Sequence, residues 1–450
     1  MKKVITYGTY DLLHYGHIRL LEKAKALGDY LIVGVTADDF DKTRGKINVK
    51  QSLMERIEGV RATGLADEII VEEYEGQKID DIKKYDIDIF TVGSDWIGKF
   101  DYLNEYCKVV YLPRTEGVSS SEIRASENKL RIGIIGTSTV VNKVANEVSY
   151  VNGMQLTSIF TDKISILDDK FCSDNIVVDS YNTLLENVDA VYVLSHPNKH
   201  YEHIKMALQK GKHVICESPI AINLVQYEEL IKLAKKVNCI IFDGLKTAYS
   251  TAYNRLLLLI KGGKIGKVMS VDATCTSLRE KIVDNENYDD NVWNSMCAWG
   301  PVAMLPIFQV LGTNFKYKNI VSNIVNESKM LDSFTKIDFV YDSAVASVKI
   351  GKGIKSEGSL VISGTEGYVY VPAPWWKTDY FEIRYEDQNV NKRYYYQLDG
   401  EGIRYELVAF AKEIESKKSL SNVGREVSKK IVSVINDFYQ SIDLKKLGLL

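Results

Sequence analysis

Residues 1–17 read MKKVITYGTYDLLHYGH. Val4 to Tyr7 is an apolar run of strand length, Gly8 and Thr9 make a small-residue turn, and His14-Tyr15-Gly16-His17 follows. A strand that passes through a glycine turn into a helix leaves backbone N–H groups aimed at one place, and that place suits a phosphate. Two histidines three residues apart, with glycine between them, can both face it from the helix entry. There they can stabilise charge that builds on the α-phosphate of a nucleoside triphosphate under attack. The chain holds six histidines in 450 residues. A pair set directly after a strand and a turn stands in the context that gives such a motif meaning.

Working outward, Tyr30 to Thr36, Glu68 to Val71, Ile87 to Val92 and Val109 to Leu112 read as buried strands, while Ile18 to Ala26 and Ser52 to Arg61 have helical spacing. This alternation predicts a parallel α/β domain over residues 1–128. Ser119 and Glu122 form a capping box that opens its last short helix. A second domain, residues 129–250, starts without a flexible linker. Its strands are Leu130 to Ile135, Leu156 to Phe160, Ala190 to Ser195, Val214 to Cys216 and Cys239 to Asp243. From Val268 the strands lengthen and helices thin out: Val268 to Ser277, Thr335 to Lys349, Gly358 to Ser363, Tyr368 to Val371 and Phe381 to Tyr385. Helices over Gly402 to Glu415 and near Gly424 to Ile442 close the chain. Residues 251–450 therefore read as an α+β open sheet. The fold class is α/β: two Rossmann-type units followed by that sheet.

Composition sets the exclusions. The chain is 45% apolar and 26% charged, and its net charge of −3 gives no electrostatic case for nucleic acid or a membrane surface. Six cysteines are scattered with no C-x-x-C pair, which argues against a disulfide framework or structural zinc and fits a reducing cytoplasm. The first apolar stretch is broken by Asp11 and His14 and does not read as a signal peptide. The run Leu256 to Ile260 is too short to span a bilayer. The expectation is a cytoplasmic protein and, from the frequency of twofold symmetry, a homodimer.

Three blocks resemble the glycerol-3-phosphate cytidylyltransferases: GTYDLLHYGHIRLLEKAKALGDYL from Gly8, VGSDWIGKFDYL from Val92 and VVYLPRTEGVSSSEI from Val109. The last is similar to the R-T-x-G-I-S-T-T signature that separates cytidylyltransferases from adenylyltransferases sharing H-x-G-H. The resemblance implies that His14 and His17 contact the triphosphate and stabilise the transition state. It puts Thr9, Tyr10, Gly16 and Asp95 beside the nucleotide, has Lys46 and Arg114 neutralise phosphates, and makes Thr115, Ser119 and Ser120 donors. Asp11, Arg44 and Lys78 match positions that hold the acceptor. CTP would arrive with Mg2+. An acceptor phosphate is already anionic, so attack on the α-phosphorus needs neutralisation and in-line positioning rather than a general base. Ser94 replaces a second aspartate common in the family. Arg44 stands where lysine is usual and grips phosphate bidentately. Glycerol 3-phosphate is the first acceptor implied, with another small polyol or amino-alcohol phosphate open.

Four later blocks resemble the Gfo/Idh/MocA oxidoreductases: RIGIIGTS from Arg131, AVYVLSHPNKHYEHIKMALQKGKHVICESPIAIN from Ala190, AYNRLLLLIKGGKIGKVMSV from Ala252 and VISGTEGYVYVP from Val361. The resemblance implies an NAD(P) site that uses Gly133, Gly136, Ser138, Glu217 and Pro219. Asp162, after the second strand, is either a ribose holder or a turn residue. The departures are heavier here. Ser138 and Val141 replace the second and third small residues of the phosphate turn, and each change is expected to crowd a cofactor. Ser218 stands where the family's E-K-P lysine falls, and the later aspartate and histidine fall at Ala298 and Val302. Reduction of a carbonyl needs a proton donor, and these positions supply none. Lys246 either replaces the lysine or is a surface residue. His196, His200 and His203 read as a strand-to-helix loop rather than a metal site.

The leading expectation is a CTP:polyol-phosphate cytidylyltransferase, yielding a CDP-polyol and pyrophosphate, joined to a degenerate oxidoreductase-like part. The alternative is a bifunctional enzyme whose second part makes or modifies the polyol phosphate with NAD(P). A binding scaffold and an adenylyltransferase are two further readings.

Overall fold

The computed structural model describes the chain apart from residues 38–48, 50, 75, 114–128, 152, 174–175, 279–291, 397, 418, 420 and 448–450. It divides into two compact units, Met1–Lys129 and Leu130–Leu450.

In the first unit, β-branched and aromatic runs form β1 (Lys3–Gly8), β2 (Tyr30–Thr36), β3 (Glu68–Glu72), β4 (Ile89–Gly93) and β5 (Lys108–Leu112). They pair in parallel in the order β3-β2-β1-β4-β5. Both faces are covered, so the central strands read as continuous apolar runs: Val4, Ile5, Leu31, Ile32, Val33 and Phe90 are all buried. The covering helices are α1 (Tyr15–Lys25), α2 (Leu53–Ala62) and α3 (Gln77–Tyr85). Helix α2 opens on a capping box, with Ser52 accepting from the Glu55 N–H and Glu55 accepting from the Ser52 N–H at 2.7 Å. The strand order reverses between β1 and β4. In such sheets a ligand crevice opens there, beyond the carboxyl ends of the strands.

The second unit holds two sheets. The first contains β6 (Leu130–Gly136), β7 (Met154–Phe160), β8 (Ala190–Leu194), β9 (His213–Glu217) and β10 (Ile241–Gly244), parallel in the order β10-β9-β8-β6-β7. The second runs from β11 (Val268–Thr276) through β12 (Tyr317–Asn326), β13 (Leu331–Val340), β14 (Val345–Gly351), β15 (Leu360–Gly364), β16 (Tyr368–Val371), β17 (Tyr380–Arg384) and β18 (Lys392–Tyr395) to β19 (Leu444–Lys446). Among the described residues it has nine strands, with β11 parallel to β14 and antiparallel to β15. The single strand expected over Thr335 to Lys349 is a hairpin. Tyr341 N–H donates to the Ala344 carbonyl at 2.9 Å, and β13 folds back on β14. Asp342 and Ser343, both turn-forming residues, are the break that the apolar pattern around them hid.

The boundary expected at residue 250 lies inside this one compact unit. The reason is the return of the chain: Phe410, in the helix Ile403–Ser416, packs on Phe242 of β10 with ring centroids 5.5 Å apart. Val432, in the helix Arg425–Tyr439, belongs to the apolar core beneath β8 and β9. Among the described residues no helix is long and apolar enough to cross a membrane.

Candidate functional site

The turn after β1 is built by packing rather than by exposed chemistry. Tyr10 takes a left-handed backbone (φ 53°) and its ring folds back over Gly8, where a Cβ would sit 2.9 Å from the ring. Burial drives its phenol well above the usual range. At 1% exposure Tyr10 supports the turn from within, and the face it offers a nucleotide is the turn it holds. Asp11 is also buried and accepts the Gln51 N–H at 2.9 Å, while Gln51 Oε1 accepts the Leu12 N–H at 2.7 Å. Asp11 thus clamps the turn to the start of α2.

That turn delivers the two histidines. His14 has an extended backbone (φ −132°) and caps α1, its Nδ1 accepting the Gly16 N–H at 3.0 Å. The His17 N–H donates to the His14 carbonyl at 2.9 Å. The imidazoles stack with centroids 3.9 Å apart, and Tyr10 meets the edge of His17 at 5.5 Å. Both rings therefore stand at the positive end of α1 and at the switch point between β1 and β4. Asp95 is exposed on the turn that follows β4.

Thr9 and Lys78 share a small pocket with Tyr7, Thr36, Glu72, Trp96 and Phe100. Lys78 is buried, pairs with the Glu72 carboxylate and lies 4.6 Å from the centre of the Tyr7 ring. Thr36 Oγ1 donates to the second Glu72 oxygen at 2.9 Å. Arg44, Lys46, Arg114, Thr115, Ser119 and Ser120, and with them the expected capping box, lie outside the described residues.

Arg56 belongs to none of the motifs. It is wholly buried on α2 and donates to the carbonyls of Thr9 and Thr36 at 2.8 Å each and to that of Gln51 at 3.2 Å. One guanidinium thus ties three backbone segments around the pocket. The signal was its register: Arg56 shares the inward face of α2 with Ile57 and Val60, where a solvated arginine has no place.

In the second unit the turn after β6 is open. Ser138 is exposed, as is Asp162 after β7, both at the carboxyl edge of the sheet. Val141 is wholly buried and rests on Gly136, where a Cβ would meet its Cγ2 at 2.7 Å. It therefore fills space beneath the turn. Gly133 lies within β6 against Leu184 and Val188, as close as 2.7 Å to a built Cβ, so packing alone requires glycine there. Ser138 before the helix Val140–Val148 and Asp162 after β7 are polar groups of a kind that fits a dinucleotide.

The proton-handling positions do not recover. Ser218 is buried, and Ala298 and Val302 sit one turn apart on the helix Ser295–Leu311. His200 lies with Nδ1 2.8 Å from the Pro219 carbonyl and Nε2 2.6 Å from that of Ser195, and His203 Nδ1 is 2.8 Å from Ser195 Oγ. These histidines hold loops together.

Beneath the loops lie three raised carboxyls. Glu406 is buried and accepts the Tyr192 hydroxyl at 2.6 Å; burial pushes it up to about 8, against the pull of that bond and of the Lys246 charge. Burial also lifts Glu217 to about 7 and Asp243 to about 6. A carboxyl raised on folding contributes stability that is full below its unfolded value, about 4.5 for glutamate, and lost as pH rises through the folded value. The urea midpoint of the second unit is therefore expected to fall between about pH 5 and about pH 9. Glu406→Gln should flatten that fall; an equally steep profile in the variant would exclude Glu406 as its source.

Comparison with known proteins agrees with these two frames. Residues 5–126 match the family model described as cytidylyltransferase-like, and residues 130–245 match that of the oxidoreductase family with an NAD-binding Rossmann fold. The chain is 52% identical over 129 residues to a glycerol-3-phosphate cytidylyltransferase of Bacillus spizizenii, covering 28% of this chain and 95% of that protein. It is 24% identical over 270 residues to scyllo-inositol 2-dehydrogenase (NADP(+)) IolU of Bacillus subtilis, covering 57% of this chain and 80% of that one. Among solved structures, KijD10, a 3-ketoreductase of Actinomadura kijaniata in complex with NADP and TDP-benzene, covers 71% of this chain and 99% of its own at a TM-score of 0.62 and 18% identity. That likeness concerns the fold alone. Through its first unit the chain belongs to the glycerol-3-phosphate cytidylyltransferase family, and its second unit has the fold of the Gfo/Idh/MocA oxidoreductases.

Proposed function

We propose that this chain transfers the cytidylyl group of CTP to a small polyol phosphate, glycerol 3-phosphate before others. An acceptor phosphate oxygen forms a bond to the α-phosphorus, the bond to the β-phosphate oxygen breaks, and pyrophosphate leaves. The observation that carries this reading is the stacked His14–His17 pair at the start of α1, 3.9 Å between centroids, in a unit that matches almost the whole length of a 52% identical relative. In this reading the two imidazoles meet charge developing on the α-phosphate, Thr9 and Asp95 border the nucleotide, and Lys78 draws the acceptor phosphate. Lys46, Arg114, Thr115, Ser119 and Ser120 complete the phosphate contacts, and Arg44 the acceptor's. Mg2+ would come bound to CTP oxygens, since it keeps most of its ligands from phosphate and water; among the described residues no trio of His, Cys, Asp or Glu forms a cage.

For the second unit we propose binding without redox turnover. Bound NAD(P) would set its pyrophosphate at the start of the helix Val140–Val148, with Ser138 and Asp162 beside it. Such a group supplies hydride, but Ser218, Ala298 and Val302 offer a carbonyl substrate no proton. We further propose a cytoplasmic homodimer whose CDP-polyol feeds cell-surface polysaccharide synthesis.

Pyrophosphate release with glycerol 3-phosphate, measured side by side for CTP and ATP, tests the assignment. CTP is expected to be used at least about tenfold faster, the weight of one good base contact of about 1.4 kcal/mol. Equal rates would favour the adenylyltransferase reading, and release from neither a binding scaffold.

A further inference from the structure

Four charged side chains of the second unit converge on one spot. Lys143 lies in the helix Val140–Val148, Lys246 follows β10, and Lys377 follows the buried Trp375. Their ammonium groups reach the Glu401 carboxylate at 3.0, 3.1 and 2.7 Å. Lys143 and Lys377 use Oε1, and Lys246 uses Oε2. Three lysines therefore share one carboxylate, while the neighbouring Glu147 and Asp399 are both paired with Arg404. The side chains are 30–49% exposed, so solutes can reach them. Burial pushes the Glu401 carboxyl up, but the bonds from Lys377 and Lys143 and the Lys246 charge outweigh it and hold it at about 2. A carboxylate that only braced the fold would need one cation. Two more lysines on it add repulsion between like charges.

The loop that carries Glu401 is bent to bring it there. Gly400, Glu401 and Gly402 are all left-handed, with φ of 56°, 55° and 91°, a conformation in which glutamate is uncommon. A Cβ on Gly400 would lie 2.1 Å from the Glu147 carboxylate, and one on Gly402 would lie 3.1 Å from the Lys246 carbonyl. The glycines let the loop press against both neighbours and lower the Glu401 side chain among the lysines. The place is the carboxyl edge of the β10-β9-β8-β6-β7 sheet, where ligands of such sheets sit.

We propose that Lys143, Lys246 and Lys377 form a phosphate-binding site in the second unit, and that the Glu401 carboxylate stands in for the phosphate when no ligand is bound. An organic phosphate dianion carries more charge than the one carboxylate it would replace against the three lysines. It can belong to a polyol phosphate or to a dinucleotide. Binding breaks the three Glu401 contacts and makes three phosphate contacts, with no covalent step.

The test uses the full chain, glycerol 3-phosphate by calorimetry and NADPH by fluorescence. The first unit is itself proposed to take glycerol 3-phosphate, so the wild-type isotherm is expected to show two phases. Lys246→Gln/Lys377→Gln should weaken one phase, or NADPH binding, at least tenfold, while CTP-dependent turnover is unchanged. Glu401→Gln should tighten the same event at least threefold, since it removes the competing charge. Loss confined to glycerol 3-phosphate identifies a polyol phosphate, and loss confined to NADPH identifies a dinucleotide. If the double variant unfolds, the half-exposed Lys143→Gln replaces it with an expected loss of at least threefold. Unchanged affinity for both probes in a folded lysine variant would overturn the site, as would weaker binding in Glu401→Gln, which would make Glu401 a brace of the loop.

Discussion

Replacing His17 with alanine is expected to lower CTP-dependent pyrophosphate release by about two to three orders of magnitude, the usual effect of losing one pre-organised donor to a transition-state oxyanion. Stability should change little. The His17 ring is half-buried and meets the edge of Tyr10 and the face of His14. His14 carries two duties, because its Nδ1 also caps α1 through the Gly16 N–H. His14→Ala should therefore lose both rate and about 1 kcal/mol of stability, the typical worth of a cap. His14→Asn separates the two. Asparagine is among the best capping residues, so this variant should recover most of the stability and none of the rate. Turnover above about a tenth of wild type in folded His17→Ala would remove the ring from the transition state and leave a structural pair.

The order of elements was legible because strands and helices alternate with clear changes of period. Tyr30–Thr36 and Tyr368–Val371 coincide with the expected strands at both ends. Less legible were features set by contacts distant in sequence. The break between β13 and β14 depends on two polar turn residues inside an otherwise uniform run. The single second unit depends on Phe410 and Val432 returning to a core laid down some 170 to 220 residues earlier.

The candidate site shows the same division. His14 and His17 were readable because three residues and a glycine place them together whatever else the chain does. Tyr10 and Asp11 belong to the same run, yet both turn inward. One must fill the space above Gly8, and the other must satisfy the Gln51 N–H, and neither demand appears in a motif. Arg56 and Glu401 lie outside every motif. Their importance comes from carbonyls and lysines that only the fold brings to them. A family pattern therefore says that two histidines meet and says little of the contacts that hold them, because many different packings can support one such pair.

Lys78 is a buried support that is also proposed to draw the acceptor phosphate, and the second large effect is expected there. Its ammonium group is buried against Glu72, which is 1% exposed, with the Tyr7 ring on one side. Lys78→Met takes that cation away from a buried carboxylate and is expected to cost about 3 to 5 kcal/mol of stability. It should also raise the acceptor KM at least about tenfold, since one charge-assisted contact to phosphate is worth about 1.5 to 3 kcal/mol. Lost activity alone would not separate these effects. Glu72→Gln/Lys78→Met removes both charges and keeps the volumes, and replacing a buried ion pair by groups of similar size is often neutral for stability. The double variant should thus unfold near the wild-type temperature, keep its KM for CTP and retain the raised KM for glycerol 3-phosphate. A double variant with restored stability and a normal acceptor KM would make Lys78 a buried partner of Glu72 and place the acceptor phosphate elsewhere. If the acceptor KM stays high, the pocket of Thr9, Tyr7 and Phe100 is where the acceptor enters, and Glu72 holds the lysine ready for it, much as a counter-charge holds any ion that must later exchange partners.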